Sequence, residues 1–402
     1  MKRVFSLLCA PVAALMLVGC SITDTVSDYS YTMKYTYSNS KIDIYDSSET
    51  MIAQIEEQGL EIFLGDRLVY SRLPKGFGRF NNRWDIYCHD FLSGQDEYLG
   101  TIKGVYGFLG HQDVYLDEHV YVTVTLGDLA GETAVYDIDL SGKSVEMIYS
   151  TDDGCVYGTL SSVGGKLLIS NLGESNSRIV EYDPETKQTK TAVTVSKDDG
   201  TGTLSAIRTM CSDGDLVYVL RVVYTADHSK STLYLDRYDL DYTLLDSIDM
   251  KDIFDPEQQA IFDQTDQIVV NFIVSNGYLY YENFSTMVYL GRIKEDNTFE
   301  KVYSDYSGVI DSAYDPYTDD DKLLLLEEGY DNGTNKLYLF DSTDGTMKQC
   351  DLGMNEPERY LCGVSKSLDG RLLFCKYPEN DPKYEDLPEN YIYTTLEELE
   401  FK

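Results

Sequence analysis

The sequence predicts an all-β fold: a seven-bladed β-propeller with four-stranded blades, its ring closed by an N-terminal strand. Three observations carry this. A two-residue turn opens onto an apolar, strand-like run seven times, at Gly65-Asp66, Asp117-Glu118, Gly164-Gly165, Asp213-Gly214, Asn276-Gly277, Asp320-Asp321 and Asp369-Gly370. The steps between them are 52, 47, 49, 63, 44 and 49 residues, and short strands repeating at roughly 50 residues build propellers or arrays. Several of these pairs are those that tight hairpins select, because such turns require positive φ. Finally, 35 tyrosines against one tryptophan, with 43% hydrophobic residues, suit β structure around a large core.

The chain opens on Lys2 and Arg3, continues through the apolar run Val4–Leu17, and reaches Leu17-Val18-Gly19-Cys20. That run is too short to span a bilayer comfortably. The arrangement resembles the leader of bacterial lipoproteins, which are cut before a cysteine that then carries the lipid. The resemblance covers the first 20 residues. It implies a signal peptide over 1–19, a diacyl anchor of the palmitate type on Cys20, and a domain held outside the cytoplasmic membrane. No other stretch reaches 18 apolar residues.

Residues 20–40 read as the lipidated cysteine and a tether rich in Ser, Thr, Asp and Tyr. Within it Tyr29, Tyr31, Met33, Tyr35 and Tyr37 alternate with other residues, which is strand period, so part of the tether is expected to dock as an edge strand. The propeller domain is 41–402, beginning with a short strand over Lys41–Asp46.

Each repeat then reads as four strands; in the third they are Tyr157–Val163, Lys166–Asn171, Arg178–Tyr182 and Thr189–Val195. Third strands often end in an aromatic followed by Asp: Tyr136-Asp137, Tyr182-Asp183, Tyr238-Asp239 and Phe340-Asp341. Second strands are apolar on both faces, as stacked blades require. The last repeat shows Tyr360–Val364, Arg371–Lys376 and Tyr391–Leu396, then the chain ends. Ile42–Tyr45 is expected to supply its fourth strand and close the ring, removing exposed edges. From about residue 40 onward the pattern resembles propellers of the broad WD-like or quinoprotein-like type. Neither a Gly-His…Trp-Asp signature nor a quinone-binding motif is present, so the resemblance implies architecture and no activity.

Long connections between second and third strands (Arg72–Arg83, Leu126–Thr133, Tyr224–Ser231, Glu328–Lys336, Lys376–Asn390) share a face with the inter-blade connections, which marks a binding face. The longest inter-blade segment, Asp249–Gln267, holds a short expected helix, Asp255–Phe262, with Asp255 as N-cap and Pro256 behind it.

The charge balance is 33 basic against 69 acidic residues, a net of −36. Such a field repels nucleic acid, which is excluded as a partner. No nucleophile elbow, zinc-helix, P-loop, Cys-x-x-Cys or dinucleotide pattern occurs, so no catalytic residue, cofactor or metal is assigned. His111, Asp113, Glu118 and His119 read as surface groups rather than a metal site, and Asp315, Asp319, Asp320 and Asp321 as a solvated acidic turn. Ser150–Gly154 and Ser196–Gly200 faintly resemble the Asp-box of sialidases, but fall between repeats and lack its tryptophan.

The exception is the loop Arg72–Trp84. It gathers Arg72, Lys75, Arg79 and Arg83 with Phe77, Phe80 and Trp84 in an otherwise acidic chain. One reading is a ligand-binding surface for anionic, carbohydrate or peptide groups. The other is a structural cap, with cations paired to acidic neighbours and aromatics packed beneath. The functional expectation is a non-catalytic, membrane-anchored propeller that binds a protein or glycan. Two alternatives stand beside it: an envelope enzyme acting on polysaccharide through acidic residues on the loop-rich face, and an envelope scaffold. Cys88, Cys155, Cys211, Cys350, Cys362 and Cys375 are spread over the repeats and read mostly as lone thiols. Counting outward from the last hairpin sets Cys362 opposite Cys375 and admits a cross-strand disulfide there.

Overall fold

The structure, a computed structural model, describes residues 31–36, 41–46, 51–56, 60–64, 67–73, 83–91, 93–108, 113–126, 132–150, 159–172, 176–197, 203–225, 227, 229–254, 269–283, 287–305, 318–319, 322–327, 336–350, 359–366, 372–378 and 390–394. They form an all-β succession of antiparallel sheets in which strands pair in chain order. Sheet one is Tyr31–Thr36, Lys41–Asp46 and Met51–Glu56. Sheet two is Glu61–Leu64, Arg67–Arg72, Arg83–Asp90 and Gln95–Lys103. Sheet three pairs His119–Leu126, Glu132–Asp139 and Ser144–Ser150, and its first strand is divided into Val105–Phe108 and Val114–Leu116. Sheets four to seven are regular four-strand units over 160–196, 203–249, 269–305 and 318–350. Sheet eight has Arg359–Lys366, Leu372–Pro378 and Asn390–Thr394.

The described residues therefore hold eight sheets where seven blades were expected. The extra one lies N-terminal to the first marker turn, and the alternating tyrosines belong to it: Tyr31–Thr36 is a strand, paired Tyr31 to Asp46 and Tyr35 to Ile42. Lys41–Asp46 also pairs with Met51–Glu56 on its other edge. A strand has only two edges, so this one is not available to sheet eight, and the expected closure through Ile42–Tyr45 is replaced by pairing inside sheet one.

A recurring irregularity identifies the strands of sheet one. In sheets two to six the fourth strand carries one extra residue opposite the third: Leu99, Ile148, Ala192, Leu245 and Val302. Ile52 is the extra residue in sheet one, between partners of Ile44 and Tyr45. Its strands thus correspond to second, third and fourth. A bulge at an outer strand sharpens local twist and spoils that edge as a template for further pairing.

Turn chemistry explains why the repeats form where they do. The first hairpin turns use positive φ at Asp117 and Glu118, at Gly164 and Gly165, and at Asn276 and Gly277. The turns between third and fourth strands are closed by an aspartate: Asp139 accepts from the Gly142 amide, Asp183 from Glu185 and Thr186, Asp239 from Asp241 and Thr243, and Asp341 from Thr343. This accounts for the aromatic–Asp pattern, because short carboxylates mimic a backbone turn. Sheet three departs from the expected Tyr136-Asp137: Asp139, two residues on, closes the turn, while Asp137 is buried inside the sheet and bonds His119 at 2.8 Å.

Second strands are buried on both faces, and Val69, Val122, Leu168 and Val219 are each 0% exposed. Neighbouring sheets share one apolar core after another. Ile86 and Ile102 meet Val122 and Ile138 between sheets two and three. Tyr121 meets Leu167 and Tyr182 between three and four. Leu168 meets Val217 between four and five, and Leu220 meets Leu279 between five and six. Outer strands are the solvated ones, with Tyr98, Met147 and Leu244 about half exposed. The middle strands are paired on both edges and covered on both faces, whereas the fourth strand is an edge of its sheet and keeps contact with solvent.

Two further expectations meet the structure here. The register of sheet eight sets Gly363, not Cys362, opposite Cys375, and Cys362 stands at the irregularity between Leu361 and Gly363. The difference arises at the turn: Lys366 faces Leu372 and not Arg371, and a one-residue slip there moves every partner outward of it by one. The expected helix Asp255–Phe262 lies outside the described residues; just before it, Met250–Ile253 is a 3-10 turn capped by Asp249, whose Oδ1 accepts from the Lys251 amide. Cys88 and Cys211 are free thiols.

Candidate functional site

Chain-order pairing fixes which connections share an end. First-to-second and third-to-fourth turns lie at one end of each sheet, and second-to-third and inter-sheet connections at the other. The tight turns therefore gather at one end and the long segments at the opposite end. The basic loop joins the second and third strands of sheet two, so its flanking residues stand at the long-loop end. Cys20, Lys75, Phe77, Arg79 and Phe80 lie outside the described residues, as do Asp315, Asp320, Asp321 and His111.

The strand period separates the three described members. Arg72, Arg83, Asp85 and Tyr87 share one face of sheet two, since Arg72 pairs with Asp85 and Tyr70 with Tyr87. Trp84 points to the other face. There its indole Nε1 donates to the Val105 carbonyl at 3.3 Å, and its ring meets Phe108 edge-on at 5.6 Å, against the core shared with sheet three. The loop's aromatic and cationic ends are thus not one island.

On the first face the side chains are held in place. The Arg72 guanidinium lies over the rings of Tyr70 and Tyr87, 4.8 and 5.1 Å from their centroids, and reaches Asp96 at 3.4 Å. Tyr70 stacks on Tyr87, which meets Tyr98 edge-on. Asp96 also bonds the His89 ring at 2.8 Å, and this bond foremost holds its carboxyl below the usual range, with Tyr70 and Arg72 adding to it. Further along, Asp85 Oδ1 accepts from Thr101 Oγ1 at 2.6 Å and from Arg83 Nε and Nη2 at 3.2 and 3.1 Å. The Tyr98 hydroxyl and Thr101 share a hydrogen bond at 2.6 Å. Asp85, Tyr98 and Thr101 carry no sequence motif. Strand period alone would have grouped Arg83 with Asp85, but Tyr98 and Thr101 reach this face together only because Leu99 is an extra residue.

The histidine-and-acid stretch of sheet three does not converge. Glu118 takes Arg67 of sheet two, at 2.6 and 3.1 Å, and the Tyr115 hydroxyl at 2.7 Å, while His119 turns to Asp137. Among the described residues no cluster of metal-ligating side chains occurs. Burial raises the Asp137 carboxyl against the pull of His119. The Arg67 hydrogen bond, with that of Tyr115, lowers Glu118 to about 2. This tie joins two sheets, and its sign follows from linkage: a carboxylate depressed on folding stabilises above its unfolded value, and that contribution fades as pH falls towards the folded value. Denaturant midpoints of the protein and of Glu118→Gln are therefore expected to differ at neutral pH and to converge as pH drops from 4.5 towards 2. A difference that stays constant across that window would remove the tie.

Comparison with known proteins gives no sequence family: no family model and no curated protein matches this chain. Solved structures resemble it in shape. A prolyl endopeptidase has a TM-score of 0.48 at 13% identity, over 92% of this chain and 57% of its own, so this chain spans little more than half of it. An oligogalacturonate lyase in complex with manganese has a TM-score of 0.49 at 12% identity, over 92% of this chain and 97% of that one. The β-propeller domain of the trilobed protease from Pyrococcus furiosus has 0.43 at 11% identity, over 95% and 96%. All three lie below a TM-score of 0.5, and none of their activities transfers to this chain.

Proposed function

We propose that this chain is a non-catalytic binding module, held outside the cytoplasm on a bacterial membrane by lipid on Cys20, whose blades close a propeller ring. The sorting of connections carries the reading: long segments gather at one end of the sheets and tight aspartate-closed turns at the other. A rigid scaffold with one elaborated end is how binding loops are usually presented. The leader through Cys20 supports export, and the excess of acidic residues supports a soluble domain that avoids anionic surfaces. The partner, a protein or a glycan, meets the long-loop end.

The anchor has a direct test. Cys20→Ala is expected to move the protein from the membrane fraction to the soluble fraction, or to leave it unprocessed, and to abolish incorporation of labelled palmitate. Unchanged labelling in the variant would end the lipoprotein reading.

A further inference from the structure

We propose that the face of sheet two bearing Arg83, Asp85, Tyr98, Thr101 and Lys103 binds a saccharide that carries a carboxylate. This rests on the reading of the long-loop end as the binding end, and adds the class of ligand.

The arrangement begins with one hydrogen-bonded chain. Tyr98 holds Thr101, Thr101 donates to Asp85 Oδ1, and Arg83 donates to the same oxygen through two nitrogens. All of these bonds converge on Oδ1, so Asp85 Oδ2 remains to accept from outside. The Arg83 side chain is 46% exposed and keeps further N–H groups free to donate outward. Tyr98 is 51% exposed, on the outer strand, with its hydroxyl already fixed. An open acceptor, an open donor and a fixed ring edge thus stand side by side.

A sugar matches this set. Its vicinal hydroxyls each donate and accept, so an adjacent acid and arginine satisfy two of them at once. Its C–H face packs on an aromatic ring at little entropic cost when the ring is already held. Desolvating the Asp85–Arg83 pair would be costly for an apolar partner, which could not replace its water contacts.

Charge selects among sugars. The net charge is −36, yet by register this face sets three cations, Arg72, Arg83 and Lys103, against three acids, Glu61, Asp85 and Asp96, an even balance in a strongly acidic chain. Lys103 is directly opposite Arg83 in the register and is exposed. No carboxylate is in contact with its ammonium among the described residues. A ligand carboxylate would find two adjacent cations there, and in such a chain it would find few others placed so.

The test uses the full chain in detergent against two immobilised probes, a hexuronate oligosaccharide and a neutral hexose oligosaccharide of the same length. The hexuronate is expected to be retained, with Tyr98→Ala and Asp85→Asn weakening retention at least tenfold, as loss of a charged or stacked contact does. Tyr98→Phe is expected to keep most of the affinity, since it preserves the ring. Lys103→Gln is expected to reduce the preference for the acidic probe. Unfolding midpoints within experimental scatter of the parent for Tyr98→Phe and Lys103→Gln show that their effects are local. Retention of neither probe would overturn the proposal, as would equal retention of both or retention indifferent to Tyr98 and Asp85. If neither probe is retained but a protein partner is captured in a way that Arg83→Ala abolishes, the saccharide assignment fails and the binding-module reading stands. If no partner of either kind engages this end, both fail.

Discussion

Trp84→Ala is expected to cost about 3 kcal/mol of stability, the lower end of what deleting a large core aromatic costs, because the ring is only partly buried. The loss has two sources. The indole fills space against Ile102, Val105 and Phe108 at the seam between sheets two and three, and its N–H satisfies the Val105 carbonyl. Trp84→Phe should recover the packing and not the hydrogen bond, and so lie between the two. Urea denaturation followed by circular dichroism reads the difference. The informative comparison is with Arg83→Ala, one residue earlier on the opposite face, which is expected to leave the midpoint nearly unchanged because its ion pair with Asp85 is exposed. If Arg83→Ala destabilises as much as Trp84→Ala, the two faces of this strand are not divided as described.

The largest effect is expected at Arg221. Asp236 is 2% exposed in sheet five, and Arg221 grips it with Nε at 2.6 Å and Nη2 at 3.0 Å, while Ser247 donates at 2.5 Å. The guanidinium also rests 4.7 Å from the centroid of Tyr234. Arg221→Met removes the charge and keeps most of the volume. It leaves a buried carboxylate without its cation, which costs about 3–5 kcal/mol. Removing both charges, in Arg221→Met with Asp236→Leu, should regain most of that loss, because an apolar pair needs no desolvation compensation. A double variant no more stable than the single one would mean that packing around Arg221, and not the stranded charge, sets the cost.

Both residues show where sequence reasoning stops. Arg221 and Asp236 are 15 residues apart on the second and third strands of one sheet, with nothing local to join them. They are brought within reach by the register that pairs Leu220 with Leu235. Similar pairs recur at Lys166 with Glu181 and, through a ring nitrogen, at His119 with Asp137, so buried acids held by a basic side chain on the neighbouring strand belong to the repeat itself. In the linear sequence they are merged into a general excess of acid.

What the sequence determined by itself was everything that acts over a few residues. Asn276-Gly277 and Gly164-Gly165 announce tight turns because positive φ is cheap there, and Asp183, Asp239 and Asp341 close the next turns through their own side chains. Those local rules, repeated at a steady spacing, are enough to reveal an all-β array of short-strand sheets. Tertiary structure alone decided the rest. It gave Lys41–Asp46 partners on both edges within an eighth sheet, and it placed Gly363 rather than Cys362 across from Cys375. It sent Trp84 into a core while Arg83 stayed outside, and used an extra residue at Leu99 to set Tyr98 and Thr101 beside Asp85. The reason is physical. Turn propensity is a property of adjacent residues, whereas strand register is set by the summed contacts of two whole strands, so a single bulge changes every partnership beyond it without leaving a mark in the local sequence.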